Sequence, residues 1–551
     1  MNCRPAAKYV QSGAVLAALI TFAVFFSSTA NQFVALDDFA YIINNPNISS
    51  FNLKTVFWCF SSFYEGNWHP LAMLSLAVDR SVWGLNPFGY HLTNICIHSC
   101  TTYLVYLLFI KLLQSPVYYQ HTDNIENMAG TQCGLPLVIG SSVGSLFYAI
   151  HPLRVESVVW ASERKDVLCL FFIVASLLMY VMNYTKCSSD SSGSSRHYLY
   201  FPCALFFAAC AFLSKPAAVS LPVILILLDW FPLKRISDMQ SFFKSFLEKW
   251  PFLVLSAIST VLTLMAQQIA MINAPDVNLA SRLLVACKAL LFYVVKTIMP
   301  TGLTAFYIHP GNVVYSRLFE YLMYLFVILI ISATALWSVR STRLWLALWL
   351  FYVITLLPMI GLIQVGGQWA ADRYSYLPSL GISLLVAAGF ARLVLETVMR
   401  KYFRLLWVSI FLAGLLLIVY AGQTVRQISV WKNTETLASR IIDESPHMSG
   451  TPYLARAIYR NETGRYEDAL SDITEAMKIS LRRGMKRTYA TIAFEYTAIL
   501  RNLGRYAEAL NMMEWGLSMS VISPPDDVLR LQKELLRLNH IQDDGTLSSY
   551  R

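Results

Sequence analysis

Charge is scarce in this sequence. Lys, Arg, Asp and Glu make up 14% of its 551 residues, against about a quarter in soluble globular proteins. Together with 56% hydrophobic residues and a mean hydropathy of +0.50, that deficit excludes an ordinary soluble domain and indicates a polytopic membrane protein. Cysteine chemistry is thin as well. The ten cysteines contain no CxxC pair and no zinc-type spacing, most lie in apolar runs, and none follows Cys287. A disulfide framework and a cysteine-held structural metal are therefore not expected. No segment interleaves basic and aromatic residues as nucleic-acid binding requires. The net charge of +10 is assigned instead to cytoplasmic loops and lipid phosphates.

Long apolar runs dominate. Residues 12–30 form the first, and further spans are expected near 92–113, 134–150, 167–184, 199–213, 217–231, 251–270, 318–338, 344–364, 376–391 and 403–421. Most approach the roughly 20 residues needed to cross a bilayer. The short pair 199–213 and 217–231, split by Ser214-Lys215-Pro216, predicts a tight hairpin. Residues 281–300 are apolar but contain Arg282, Lys288 and Lys296, and are read as a re-entrant or interfacial helix. That leaves about eleven spans. With the N-terminus inside, the inner loops hold Arg4, Lys8, Lys186, Arg196, Lys234, Arg235, Lys244, Lys249, Arg340, Arg343, Arg392, Arg400, Lys401 and Arg404, in agreement with the positive-inside rule. The outer loops are then 31–91, 151–166, 271–317 and 365–375, and the C-terminus lies outside.

Two adjacent carboxylates, Asp37 and Asp38, leave the first span where hydrocarbon gives way to water. Charge at that boundary is costly unless solvated or used, which makes the pair a candidate site. Aromatic residues 51–64 follow as an expected interfacial helix. Other polar motifs fall on the same side: Asn67-Trp68-His69-Pro70, Asn86-Pro87-Phe88-Gly89-Tyr90-His91, and His151-Pro152-Leu153-Arg154-Val155-Glu156. To these are added Glu163-Arg164-Lys165-Asp166, Leu213-Ser214-Lys215-Pro216, Phe306-Tyr307-Ile308-His309-Pro310 and Asp372-Arg373-Tyr374-Ser375-Tyr376-Leu377-Pro378. Singly, each reads as a helix cap or a snorkelling charge. Their confinement to one face is what marks a site.

After residue 421 the composition turns polar. Gly464-Arg465-Tyr466-Glu467-Asp468-Ala469-Leu470 and Gly504-Arg505-Tyr506-Ala507-Glu508-Ala509-Leu510 repeat one pattern. Glycine permits the turn, and Tyr, Ala and Leu pack a helix pair, as in tetratricopeptide repeats. Residues 1–421 are thus expected to form a transmembrane domain and 422–551 a short helical-repeat domain, in an all-α chain.

Taken together, these motifs resemble the TMTC-type proteins, membrane O-mannosyltransferases with C-terminal tetratricopeptide repeats, and their bacterial relatives. The wider resemblance is to GT-C glycosyltransferases. It implies an uncleaved first helix, although Ser28-Thr29-Ala30 would pass as a signal-peptidase site. It further implies inverting transfer of a mannose-like hexose from a polyprenyl-phosphate carrier to a hydroxyl of a protein or glycan acceptor, on the outer face of a membrane. That membrane is the bacterial inner membrane, or the ER if the source is eukaryotic. On this reading Asp37 or Asp38 takes the acceptor proton, and Glu156 is the second acid, with Asp166 next. Arg164, Lys215 and Arg373 receive the leaving phosphate. His69, His91, His151, Asp166 and His309 are weaker substrate contacts. A divalent cation, Mg or Mn, on Asp37, Asp38 and Glu156 is left open, since only some relatives use one. The competing classes are a lipid-linked-sugar flippase, expected to show internal repeats and mid-membrane charge, and a non-enzymatic anchor for a repeat scaffold.

Overall fold

The computed structural model describes residues 6–115, 130–185, 197–272, 278–311, 313–362, 367–519 and 526–543. Outer loops 271–317 and 365–375 therefore lie partly outside the described residues. The chain divides into two compact units, Met1–Trp431 and Lys432–Arg551.

The first unit is a helical bundle. Helix α1 (Ala7–Phe25) continues through a 3-10 turn to Ala30. Helix α2 (Leu53–Ser61) is capped by Asn52, whose side chain accepts from the Thr55 N–H. It exposes Leu53, Phe57 and Phe60, as an interfacial helix does. Helices α3 (Pro70–Trp83) and α4 (Pro87–Leu113) each begin with proline, whose missing N–H costs nothing at that position. Helix α5 (Gly130–Ala149) is followed by the short α6 (Val155–Val159). The axis bends by 54° between them, where Pro152 interrupts the run. Next come α7 (Arg164–Tyr184), α8 (His197–Ser214), α9 (Leu221–Trp230), the amphipathic α10 (Met239–Glu248) and α11 (Trp250–Ile272). The unit ends with α12 (Leu279–Ile298), α13 (Leu318–Ser338), α14 (Leu344–Leu356), α15 (Ser379–Met399) and α16 (Phe403–Val430).

The all-α polytopic class holds. Among the described residues, seven helices are long and apolar enough to cross a membrane, and the bent α5–α6 pair makes an eighth. The remaining three expected spans correspond to shorter apolar helices, α8, the stretch through α9, and α14. The strands among the described residues are β1 (Tyr307–Ile308) and β2 (Gln368–Ala370), an antiparallel ribbon. Helix α12 is unbroken rather than re-entrant. Its cap Asn278 accepts from the Tyr315 hydroxyl at 2.7 Å, and Lys288 faces Glu320 and Trp369. His151 lies against the Thr297 carbonyl near its end. It also packs along α13 and α14, where the Tyr352 hydroxyl donates to the Leu290 carbonyl at 2.5 Å.

Hydropathy ends the last span at 421, but α16 runs to Val430. Polar contacts extend it. Thr424 donates to the Ile150 carbonyl at 2.6 Å, and Asn31 donates to the carbonyls of Ile428 and Trp431. The tightest helix contact is α5 against α15. A Cβ on Gly140 would sit 2.6 Å from that of Ala391, and one on Gly144 would sit 2.5 Å from that of Ala387. The small-xxx-small spacing Gly140/Gly144 lets the two backbones touch.

In the second unit, the helices Thr451–Glu462 and Tyr466–Arg482 form one antiparallel pair, and Lys486–Asn502 and Tyr506–Met519 form another. Gly464 and Gly504 turn at φ +79° and +75°, a conformation that favours glycine. The forty-residue repeat is accommodated by a helix extending to Arg482 and a further turn at Gly484. Ala457, Ala469, Ile473, Ala476 and Ala493 form the core.

Candidate active site

The loop carrying the paired carboxylates packs on α3 and α4 through Tyr41, Ile42, Met73 and Tyr90. This core fixes where the two acids point. Asp38 is turned inward and is 1% exposed. It accepts from the Val34 N–H at 3.1 Å and the Ser162 N–H at 2.9 Å, one bond to each oxygen. Burial lifts its carboxyl to about 6, against the pull of those donors. Asp37 points the other way, its side chain 43% exposed and 3.2 Å from the Lys165 ammonium. Of the two, Asp38 ties the loop to the start of α7 and Asp37 reaches solvent.

Lys165 opens a ladder of alternating charge. Its ammonium also lies 3.2 Å from Glu163, over the Tyr41 and Trp160 rings. Glu163 is the hub, 3.5 Å from Lys215 and 3.5 Å from Arg373. Lys215 continues to Asp166, which also accepts from the Ser157 hydroxyl at 3.1 Å. Arg373 continues to Glu156, pairing through its guanidinium and its backbone N–H, the latter at 2.8 Å. The ladder thus sets the carboxylates of Asp37, Glu156, Glu163 and Asp166 against the cations Lys165, Lys215 and Arg373.

Two bonds to backbone carbonyls and one between side chains hold it. Tyr148 donates its hydroxyl to the Tyr376 carbonyl at 2.8 Å, and Arg154 donates to the Ser375 carbonyl at 3.1 Å. The Tyr307 hydroxyl reaches Asp372 at 2.8 Å. Burial and the nearby Glu156 raise the Asp372 carboxyl above its ordinary range. These bonds clamp the 372–376 turn to the α5–α6 bend, placing Arg373 on Glu156.

The expected residues divide accordingly. Asp37, Glu156, Lys215, Arg373 and Asp166 meet in the ladder. Arg164 is directed elsewhere. It is fully buried, donating to Asp79 and Ser75 at 2.6 Å, to the Tyr90 carbonyl at 3.0 Å and to Asn94. That is a structural ion pair braced between α3, α4 and α7 rather than a phosphate contact. Lys165 takes the position at the ladder, because adjacent residues on a helix point about 100° apart.

His69 is buried beside the Tyr41 ring at 5.3 Å. Burial and the Lys165 charge lower it to about 3, so it is neutral. His91 is buried at the start of α4. His151 caps the α5–α6 bend, its ring nitrogens engaged by the Leu153 N–H and the Thr297 carbonyl. His309 accepts from the Gly311 N–H at 3.0 Å beside the ribbon. His151 and His309 thus have local structural partners.

Sequence reasoning left Glu163 and Lys165 out of the site. Both stood in the Glu-Arg-Lys-Asp motif, whose composition alone does not say which side each residue faces. Among the described residues no group of three His, Cys, Asp or Glu side chains could hold a metal ion. The ladder acids each meet Lys or Arg, which occupy the oxygen faces a divalent cation would use. Asp37, Asp38 and Glu156 do not fit a shared cation here.

No family model matches the chain. No solved structure matches it either. Its sequence is similar to curated protein O-mannosyl-transferases. Human TMTC2 is 29% identical over 174 residues, 32% of this chain and 18% of that protein. Drosophila melanogaster Tmtc1 is 26% identical over 163 residues, 28% of this chain and 16% of that protein. Human TMTC4 is 23% identical over 193 residues, 33% of this chain and 25% of that protein. The chain thus matches about a fifth of these relatives' own length.

Proposed function

From a chain related to the TMTC-type protein O-mannosyl-transferases, we propose a membrane glycosyltransferase of GT-C type. It moves a mannose-like hexose from a polyprenyl-phosphate carrier to an acceptor hydroxyl. The observation that carries this reading is the ladder itself: one solvent-reaching carboxylate, Asp37, backed by largely buried cations at the end of a membrane bundle.

The chemistry follows from the charges. The donor phosphate displaces Asp37 from Lys165, and Lys165, Lys215 and Arg373 neutralise it as the bond to the sugar breaks. Asp37, released from its ion pair, accepts the proton of the acceptor hydroxyl. The acceptor oxygen bonds to C1 from the face opposite the leaving phosphate. A single displacement inverts the anomeric centre, and polyprenyl phosphate leaves. Asp38 holds the loop so that Asp37 faces the cleft. Glu163 keeps three cations together at one place, and Glu156 fixes the Arg373 guanidinium.

The bundle lies in the inner membrane of a bacterium or in the ER of a eukaryote, with the ladder and the C-terminal repeats on the extracytoplasmic side, as the distribution of Lys and Arg suggests. The repeats offer a surface for a polypeptide acceptor. Proteoliposomes given polyprenyl-phosphate mannose and a Ser/Thr peptide test the reading. Mannosyl peptide is the expected product. Donor movement across the bilayer without product would favour a flippase.

A further inference from the structure

A second feature opens at the opposite end of the bundle, where α4 and α9 end, and runs inward to Leu380 near the start of α15. A cavity of about 810 Å³ opens between α4, α9, α14 and α15, within the size range of ligand sites. Its wall on α15 runs from Leu380 to Arg392, about 18 Å of helix. The wall is mostly apolar, with Phe109, Leu113, Ile224 and Leu384 among its residues. Lys234, Arg343 and Arg392 also line it, and among its described lining residues there is no Asp or Glu. The Arg343 guanidinium is fixed by the Ile236 carbonyl at 3.0 Å and by the Trp230 ring. Arg392 is paired with Glu396, outside the lining.

Helix α10 marks the headgroup level at this mouth. Met239, Phe243 and Leu247 are exposed on it at four-residue spacing. Its other side is held by Ser245, which donates to the buried Asp229 at the end of α9 at 2.7 Å, and the flanking Arg235 and Lys249 pair with the same carboxylate. An amphipathic helix so placed lies in the membrane interface.

We propose that this cavity binds an anionic diacyl phospholipid. Its acyl chains lie along α14 and α15 and its phosphate meets Lys234, Arg343 and Arg392. An apolar slot with a basic mouth between membrane helices suits such a lipid. A free phosphate makes no use of the apolar wall. The sugar carrier would present its own phosphate at the ladder, at the opposite end of the bundle.

Gly389 lines the cavity, and a Cβ there meets nothing within 4 Å. Gly389→Phe therefore grows into the lipid's space. Gly414→Phe is the control, on α16, where a Cβ also meets nothing. Native mass spectrometry of the full detergent-purified chain, titrated with dioleoyl phosphatidylglycerol or dioleoyl phosphatidylcholine, reads the result. The anionic lipid is expected to bind at least about tenfold more tightly than the neutral one (about 1.4 kcal/mol). Gly389→Phe and the Arg343→Gln/Arg392→Gln double variant each lose about that factor, and Gly414→Phe loses none. Should Gly389→Phe fail to fold, Gly389→Leu takes its place. Equal binding of the neutral lipid, unchanged binding in the filled variant, or displacement by equimolar polyprenyl phosphate or by inorganic phosphate overturns the proposal.

Discussion

Arg164 and Lys165 are neighbours in sequence, yet one braces the fold and the other faces the cleft. Arg164→Gln strips the partner from buried Asp79, a loss of about 3–5 kcal/mol for a broken buried pair. The variant is expected to lose thermal stability in detergent before any question of activity arises. Lys165→Gln leaves Glu163 with Lys215 and Arg373. It is expected to keep its melting temperature within a few degrees and to lower transfer about 10²-fold. Melting and transfer assays on the two variants separate these roles, and equal loss of stability in both would undo the distinction.

Asp38 makes the matching case for an acid. Its folded carboxyl titrates near 6, above the unfolded value of 3.8, so the native state binds its proton more tightly. Its contribution therefore falls as pH rises from about 4 to about 6 and is level above that, a change on the order of 3 kcal/mol. Asp38→Asn stays neutral throughout. On acidification from pH 6 to pH 4, the wild type should gain stability relative to this variant, as read by paired melting curves. A constant difference across that window would show that Asp38 is not desolvated.

At the scale of elements, the α5–α15 contact decides whether the site assembles, because these helices carry the bend and the turn that meet at Glu156 and Arg373. Gly144→Leu must push the Ala387 backbone away, an overpacking cost of about 1–3 kcal/mol or more. Lower melting temperature and reduced transfer are expected together. Wild-type behaviour in both would deny the contact its role.

The same scale shows what the sequence made legible. Apolar runs located the membrane helices because burial in lipid leaves a compositional trace. The end of α16 left none, since Thr424 and Asn31 hold it through a few isolated side-chain hydrogen bonds. Acids and cations near helix ends were legible as a set, and the structure brings Asp37, Glu156, Asp166, Lys215 and Arg373 together. The choice of Lys165 over Arg164 was not legible, because it depends on which face of α7 packs on α3 and α4. Likewise His151 looks like a site residue in sequence, and its ring instead fixes a bend.

For the whole molecule, the proposed orientation rests on counting Lys and Arg. A cysteine introduced at the exposed Ser518 should be labelled by a membrane-impermeant maleimide in intact cells. Labelling only after permeabilisation would place the repeats inside and exclude their use in holding an extracytoplasmic acceptor. The central claim is that the ladder is a glycosyl-transfer centre with Asp37 as its base. The most direct test compares wild type and Asp37→Asn in proteoliposomes supplied with polyprenyl-phosphate mannose and a Ser/Thr peptide. The account expects the variant to lose mannosyl transfer by about 10²–10⁴-fold with its melting temperature unchanged, and full transfer by Asp37→Asn would contradict it.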